Sequence, residues 1–135
     1  MKKKSKWQRL LESYVGLKME LNALQDSLSD VIGGSKDSWM KREEDRLRQR
    51  IGEIESQIME IETAVNRIPD PMQRAVLRRR YIGNWSELPT WPEVAIILRG
   101  DNDEKDLQKI NRIHGRALQS FEAIYKAIQK EKRLP

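Results

Sequence analysis

Residues 7–31 read WQRLLESYVGLKMELNALQDSLSDV, and apolar side chains recur in this stretch at alternating intervals of three and four. That spacing places them on one stripe of an α-helix and is typical of a coiled-coil seam. A second seam with the same spacing runs through residues 40–68, with Glu44 at one of its positions. The apolar members of the two seams are Trp7, Leu10, Tyr14, Leu17, Leu21, Leu24, Leu28 and Val31, and then Met40, Leu47, Ile51, Ile54, Ile58, Ile61, Val65 and Ile68.

The segment between the seams, GGSKDS at residues 33–38, favours a reversal of the chain. Two glycines end the first helix, and Asp37 or Ser38 caps the second. In an antiparallel hairpin, the residue numbers of facing positions have a constant sum. If the chain turns near residue 36, the facing seam positions, such as Trp7 and Val65, have residue numbers that add to 71 or 72 throughout. The sequence therefore predicts an antiparallel coiled-coil hairpin over residues 1–68, with arms about 40 Å long. Because two helices alone bury little core, we expect the hairpin to pack on the C-terminal half or to dimerise.

Composition limits the classes of function. The chain has 135 residues, one histidine and no cysteine. With no thiol and no glycine-rich phosphate loop, we expect no enzymatic activity, no cofactor and no metal. The chain contains neither a signal-peptide core nor a membrane-length apolar run, which predicts a cytoplasmic protein without membrane contact. The net charge is +5, and residues 69–135 carry 13 Lys and Arg against 9 Asp and Glu, a bias that suits a polyanionic partner.

Residues 69–135 are predicted to form three helices. Two prolines end the second arm and begin a helix near Pro71 that Gly83 stops. TWPEVAIIL at residues 90–98 opens with a capping box of Thr90 and Glu93, followed by a short helix. The last helix is expected from about Asp103 to about Lys130. In the helix that begins near Pro71, the side chains expected to point inward are Met72, Ala75, Val76, Leu77 and Tyr81. In the helix that follows Thr90 they are Val94, Ile97 and Leu98, and the small Ala95 lies where a neighbouring helix could approach.

At 100° per residue, the last helix divides into two faces. Its inner face is Leu107, Ile110, Ile113, His114, Ala117, Leu118 and Phe121. Its outer face is Gln108, Lys109, Asn111, Arg112, Gly115 and Arg116. We expect His114 to be a packed, hydrogen-bonded core residue. Gly115 either lets a partner approach the backbone or is simply tolerated, and Trp85 and Trp91 are expected to pack inside the domain.

Two short helices and a longer one with a basic outer face describe a helix-turn-helix, whose last helix lies in the major groove of DNA. Arg, Lys, Gln and Asn can hydrogen-bond base edges there, while arginines on neighbouring helices hold phosphates. Residues 69–135 are therefore predicted to be a DNA-binding domain. The predicted DNA-binding residues are Arg78, Arg79, Gln108, Lys109, Asn111, Arg112 and Arg116.

The stretches IPDPMQRAVLRRRYI (68–82), TWPEVAIIL (90–98) and INRIHGRALQSF (110–121) resemble region 4 of bacterial sigma factors. Together with the hairpin, they also resemble a family of small, uncharacterised phage and prophage proteins akin to late-gene transcription regulators, over roughly residues 40–125. The resemblance implies a transcription regulator that binds double-stranded DNA in a bacterial host. It places Gln108, Lys109, Asn111 and Arg112 at base-contacting positions. The hairpin would then mediate homodimerisation or contact RNA polymerase.

The acidic stretch RGDNDEKD (99–106) departs from the sigma-like pattern by about five additional residues between the second and third helices. Its carboxylates would repel phosphates, so either this loop points away from DNA or binding uses the middle of the last helix. A calcium loop is disfavoured because Lys105 occupies a ligand position and no glutamate follows at the required spacing. The alternative function is a non-enzymatic phage assembly or packaging adaptor that acts through its coiled coil.

Overall fold

The computed structural model describes residues 4–32, 38–83 and 88–133, and within these ranges the chain is all-helical, with five helices and no strand. The helices are α1 (Lys6–Ile32), α2 (Ser38–Asn66), α3 (Pro71–Tyr81), α4 (Trp91–Arg99) and α5 (Glu104–Lys132). The predicted turn near residue 36, the Asp37 cap and Trp85 lie outside the described residues. None of the helices in the described ranges is both long enough and apolar enough to cross a membrane.

By packing, the chain divides into two units. One comprises Met1–Val15 with Glu60–Pro135, and the other comprises Gly16–Met59. The division therefore falls inside α1 and α2, whereas the sequence suggested a boundary at residue 68. The physical reason is that the first turns of α1 and the last turns of α2 pack with α5, as described below.

The Gly16–Met59 unit contains the later positions of the first predicted seam, from Leu17 to Val31, and the earlier positions of the second, from Met40 to Ile58. On α2, Leu47, Ile51, Ile54 and Ile58 are buried, and the seam residues of α1 in this unit are half-buried. Arg50 donates to Glu20 at 3.0 Å and so joins the two helices. The half-buried Glu44 accepts from Arg48 at 2.9 Å. The charged stretch of α2 is thus a solvated face with ion pairs, while the full pairing of the two seams stays a prediction.

In the larger unit, α3, α4 and α5 pack on one another. Their shared core holds Val76, Val94, Ala95 and Ile110, all fully buried. Trp91 packs against this cluster, as predicted. Two expected inward residues differ: Ile97 is 48% exposed, so its predicted place in the core is wrong, and Met72 lies at the edge, 36% exposed. On so short a helix, the buried stripe runs through residues 91, 94, 95 and 98, and Ile97 falls one position outside it.

The same unit packs both ends of the predicted hairpin against the C-terminal half of α5. The Trp7 indole donates to Glu122 at 2.8 Å and meets the Tyr125 ring edge-on at 5.7 Å. On α2, the Glu60 carboxylate accepts from Tyr125, Gln129 and Lys132. Tyr14 donates to Glu62, which also joins α1 to α2. The expectation that the hairpin packs on the C-terminal half holds for these helix ends.

The helix ends follow from their capping residues. Asp70 accepts from the backbone N–H groups of Met72 and Gln73 and begins α3, and Thr90 accepts from Glu93 N–H at 3.4 Å and begins α4. Gly100 ends α4 in the left-handed region, at φ 83°. Asp103 accepts from Asp106 N–H at 2.8 Å and begins α5.

Candidate nucleic-acid interface

The turn between α4 and α5 fixes how α5 is presented. It consists only of residues 100–103, since α4 ends at Arg99 and α5 begins at Glu104. The long additional loop expected from RGDNDEKD is therefore not found, because half of that stretch is helical. Four residues with glycine in the left-handed conformation are close to the usual helix-turn-helix connection of about 3–4 residues.

The outer face of α5 is exposed in the way its sequence predicts. Gln108, Asn111, Arg112 and Arg116 are exposed, and Lys109 is half-exposed. The inner face is buried at Ile110, Ala117 and Phe121, with the remaining members half-buried or, for His114, 9% exposed. The helix thus presents donors to solvent along about two turns, from residue 108 to residue 116.

A shallow cleft of about 180 Å³ gathers part of this face. It is lined by Arg99 from the end of α4 and by Lys109, Arg112 and Arg116 from α5, together with Ile113. We call it the α5 cleft. Among the described residues, four cations and no carboxylate line it. Arg99 is paired with the nearby Asp106, so the three α5 cations are what gives the cleft a potential that favours an anion such as a phosphate.

Arg78 and Arg79 lie in a second hollow, of about 510 Å³, beside α3. Both side chains are exposed, and Arg74 lines the same hollow. We call it the α3 hollow. Arg78 also donates to the Asn66 side chain, which holds its guanidinium near the end of α2.

The two basic surfaces flank the last turn of α4. Leu98 lines the α3 hollow, and the next residue, Arg99, lines the α5 cleft. The sequence-predicted residues therefore fall into two groups: Lys109, Arg112 and Arg116 in the cleft, and Arg78 and Arg79 in the hollow. Gln108 and Asn111 line neither surface and stand exposed on α5.

His114 lies behind the outer face and holds α5 in place. Its Nε2 atom is 2.7 Å from the Tyr81 hydroxyl of α3, and its ring meets the Trp91 ring of α4 at 4.5 Å. Burial, reinforced by the nearby Arg80 charge and only partly offset by Glu12, lowers the pKa of His114 from 6.5 to about 4. The imidazole is therefore neutral at physiological pH and can accept the Tyr81 proton. The prediction of a packed, hydrogen-bonded histidine is confirmed.

Arg80 packs beside the Trp91 ring, next to the contacts that Tyr81 and Trp91 make with His114. Its guanidinium lies 4.8 Å from the centre of the Trp91 ring and donates to the carbonyl oxygen of Pro89. A cation over an indole face is attracted by the ring, and the carbonyl bond ties the end of α3 to the start of α4. Arg80 is thus a structural residue, unlike its neighbours Arg78 and Arg79.

Three carboxylates gather at the start of α5, where Asp101, Asp103 and Asp106 lie within 4.8 Å of one another. Asp103 caps the helix, and Asp101 accepts from Asn102 N–H at 2.7 Å. Asp106 accepts from Arg99 at 2.8 Å, and this hydrogen bond lowers the pKa of Asp106, against the opposing effect of desolvation. Capping and pairing account for these carboxylates. The negative charge sits at the first turn of α5, and the cationic cleft begins one turn later.

Sequence reasoning missed Arg99. The sequence places it at the start of the acidic stretch, yet it is the α4 residue that lines the α5 cleft, where it also pairs with Asp106. Local spacing carries no signal for it, because its place beside α5 depends on a four-residue turn where the sequence predicts a longer loop. Arg74, which lines the α3 hollow, is not among the predicted DNA-binding residues.

Comparisons with protein-family models, with curated proteins and with solved structures find no match to this chain. The candidate interface therefore depends on its own geometry and charge.

Proposed function

We propose that this protein is a transcription regulator that binds double-stranded DNA through a helix-turn-helix formed by α3, α4 and α5. In this proposal α5 enters the major groove. Gln108, Lys109, Asn111 and Arg112 face base edges, and Arg116 binds at the groove margin. Arg78 and Arg79 contact phosphates from the neighbouring helix.

The observation that carries the proposal is the α5 cleft, in which cations of two helices converge beside an exposed row of amide and guanidinium donors. Phosphate contacts supply affinity, while donors to base edges supply sequence preference. The cleft and the exposed donors lie on one helix, so one docking pose can use both.

The position of the charges supports binding by the middle of α5. The carboxylates occupy residues 101–106, and the cleft cations on α5 occupy residues 109–116. A duplex seated on residues 108–116 would contact the cations, with the acidic first turn beyond them. Of the two alternatives that the acidic stretch left open, this is the one that the geometry favours.

Gly115 adds to this support. A Cβ atom added there would meet no atom within 4 Å, so packing inside the protein does not call for glycine. The residue is exposed between Arg112 and Arg116. A missing side chain at this point lets a phosphate or base approach the backbone of α5.

In this proposal the Gly16–Met59 unit has a role separate from DNA binding, which is dimerisation or contact with RNA polymerase. Four large apolar side chains of this unit are more than half exposed: Met19, Ile32, Trp39 and Met59. Each of these exposed apolar side chains offers an individual anchor for a protein partner.

A pull-down of sheared genomic DNA tests the proposal and identifies the site. The tagged wild-type chain should enrich a small set of promoter-containing fragments. The double variant Lys109→Ala/Arg112→Ala should lose that enrichment, and Lys41→Ala/Arg42→Ala, which removes two exposed cations from the other unit, should retain it.

If a pull-down from infected cells recovered a phage structural protein and no nucleic acid, the adaptor function would replace the proposed one. Equal enrichment by the two double variants would also contradict it, because binding would then depend on net charge and not on α5.

A further inference from the structure

A groove in the larger unit lies far along α5 from the candidate DNA-binding surface. It has a volume of about 790 Å³ and runs between the first turns of α1 and the last turns of α5. We call it the α1–α5 groove. Its walls come from residues 6–13 of α1 and from residues 125–133, which are the end of α5 and its C-cap Arg133, each a stripe with helical spacing.

The rim of the groove is strongly basic. It is lined by Lys6 and Arg9 on α1, by Lys126 and Lys130 on α5, and by the C-cap Arg133, and all five are exposed. No carboxylate belongs to the described residues that line the groove. Glu122 lies nearby and pairs with Lys126 at 3.1 Å, leaving the rim with a clear excess of positive charge.

The floor of the groove is apolar. It is formed by Trp7, Leu10 and Tyr125, which are half-buried although they lie on a highly charged protein. The polar atoms of the two aromatic residues are already used inside the protein, since the Trp7 indole donates to Glu122 and the Tyr125 hydroxyl donates to Glu60. The apolar carbons of the floor are what remains for a ligand, and the flexible Lys6 and Lys126 ammonium groups lie 5.2 and 5.6 Å from the centre of the Trp7 ring.

We propose that the α1–α5 groove binds an acidic amphipathic helix of a partner protein. Two apolar side chains of the partner, one turn apart, would cover Trp7, Leu10 and Tyr125, while its carboxylates would pair with the basic rim. A helix in a groove between two helices is a recurrent mode of recognition and uses ridge-into-groove packing. The α5 wall from residue 126 to residue 133 is about 10 Å long, which matches about two turns of the partner.

The apolar floor distinguishes this ligand from a nucleic acid. A phosphate backbone satisfies the cationic rim but does not bury the floor, and the Trp7 ring is held edge-on to Phe121 and Tyr125 at 6.4 and 5.7 Å. An acidic peptide with apolar anchors satisfies both parts of the groove. The proposal does not depend on the proposed DNA binding, because the two surfaces share no residue.

Fluorescence anisotropy with designed peptides tests it on the full chain. The probe is a labelled alanine-based helix of about 16 residues with two leucines one turn apart, flanked by glutamates. One matched peptide replaces the glutamates with lysines, and another replaces the leucines with serines. We expect the acidic leucine peptide to bind, and both matched peptides to bind at least about tenfold more weakly.

Two variants of the chain locate the binding. Lys130→Glu/Arg133→Glu should weaken binding of the acidic leucine peptide about tenfold. Leu10→Ser should weaken it several-fold with the charges intact. Lys41→Glu/Arg42→Glu makes the same change in net charge on the other unit and should leave binding within about twofold.

Three results would overturn the proposal. The first is unchanged binding of the acidic peptide to Lys130→Glu/Arg133→Glu, or a loss of affinity in the control Lys41→Glu/Arg42→Glu that equals the loss in the groove variant. The second is displacement of the peptide by an oligonucleotide whose own binding is lost in the groove variants, which would assign the groove to a nucleic acid. The third is self-association in sedimentation velocity that the groove variants abolish, which would assign it to a second copy of the chain.

Discussion

Lowering the pH should destabilise the packing of α5 through His114. The folded protein holds this side chain between Tyr81 and Trp91 with its pKa lowered from 6.5 to about 4. Between these two values the unfolded chain binds a proton at His114 and the folded chain does not. The stabilising contribution is therefore fully present above the unfolded pKa and is lost as the pH falls toward the folded pKa.

The magnitude follows from the two pKa values. Linkage gives a loss of about 2 kcal/mol in the free energy of unfolding between about pH 7 and pH 5. Carboxylates whose pKa is lowered on folding, such as Glu60 and Glu122, start from 4.5 and contribute mostly below this window. The range above about pH 5 therefore reports on His114.

Urea unfolding followed by far-ultraviolet circular dichroism measures the effect at each pH. The control variant is His114→Gln, whose amide oxygen can still accept the Tyr81 hydroxyl proton but does not titrate. We expect the wild-type free energy of unfolding to fall across the window and that of His114→Gln to stay nearly level. Parallel curves for the two proteins would refute the reasoning, because the pH dependence would then come from another group.

Four further substitutions test the packing and the helix junctions. Ile110→Ala empties a fully buried core position and should cost about 2–5 kcal/mol in the free energy of unfolding, whereas the half-exposed Ile97→Ala should cost under about 1 kcal/mol by the same urea assay. Glu60→Gln removes the charge-assisted bond from Lys132 and should cost about 1–2 kcal/mol at neutral pH. Because hydrogen bonds keep the Glu60 pKa low against the effect of burial, the variant should also lose less stability as the pH falls below about 4.5. Gly100→Ala forces a side chain into the left-handed region and should lower the melting temperature by an amount equivalent to about 1 kcal/mol, and an unchanged melting temperature would contradict the assigned cap.

The sequence was most informative where one periodic pattern covers many residues. The α2 seam is buried from Leu47 to Ile68 at each of its apolar positions, and the faces of α5 divide as the 100° rotation requires. The capping residues Asp103 and Thr90 begin their helices because a short side-chain acceptor satisfies N–H groups that lack partners in the first turn.

Prediction was weaker where a contact joins distant parts of the chain. Leu11 lies one position off the α1 seam and is nonetheless fully buried, since this end of α1 belongs to the unit that contains α3, α4 and α5. Neither the Glu60 junction nor the place of Arg80 beside Trp91 follows from local spacing. The α5 cleft was predicted in part: the exposed face follows from periodicity, while the contribution of Arg99 depends on the angle at the four-residue turn.

The central claim, that the outer face of α5 binds duplex DNA, is tested most directly by anisotropy titration of a labelled promoter-containing duplex at low and moderate salt. The account predicts binding that weakens steeply as salt increases, at least about tenfold weaker binding for Lys109→Ala/Arg112→Ala, and little change for Lys41→Ala/Arg42→Ala. Absence of binding at low salt, or equal affinities for the wild type and Lys109→Ala/Arg112→Ala, would contradict it.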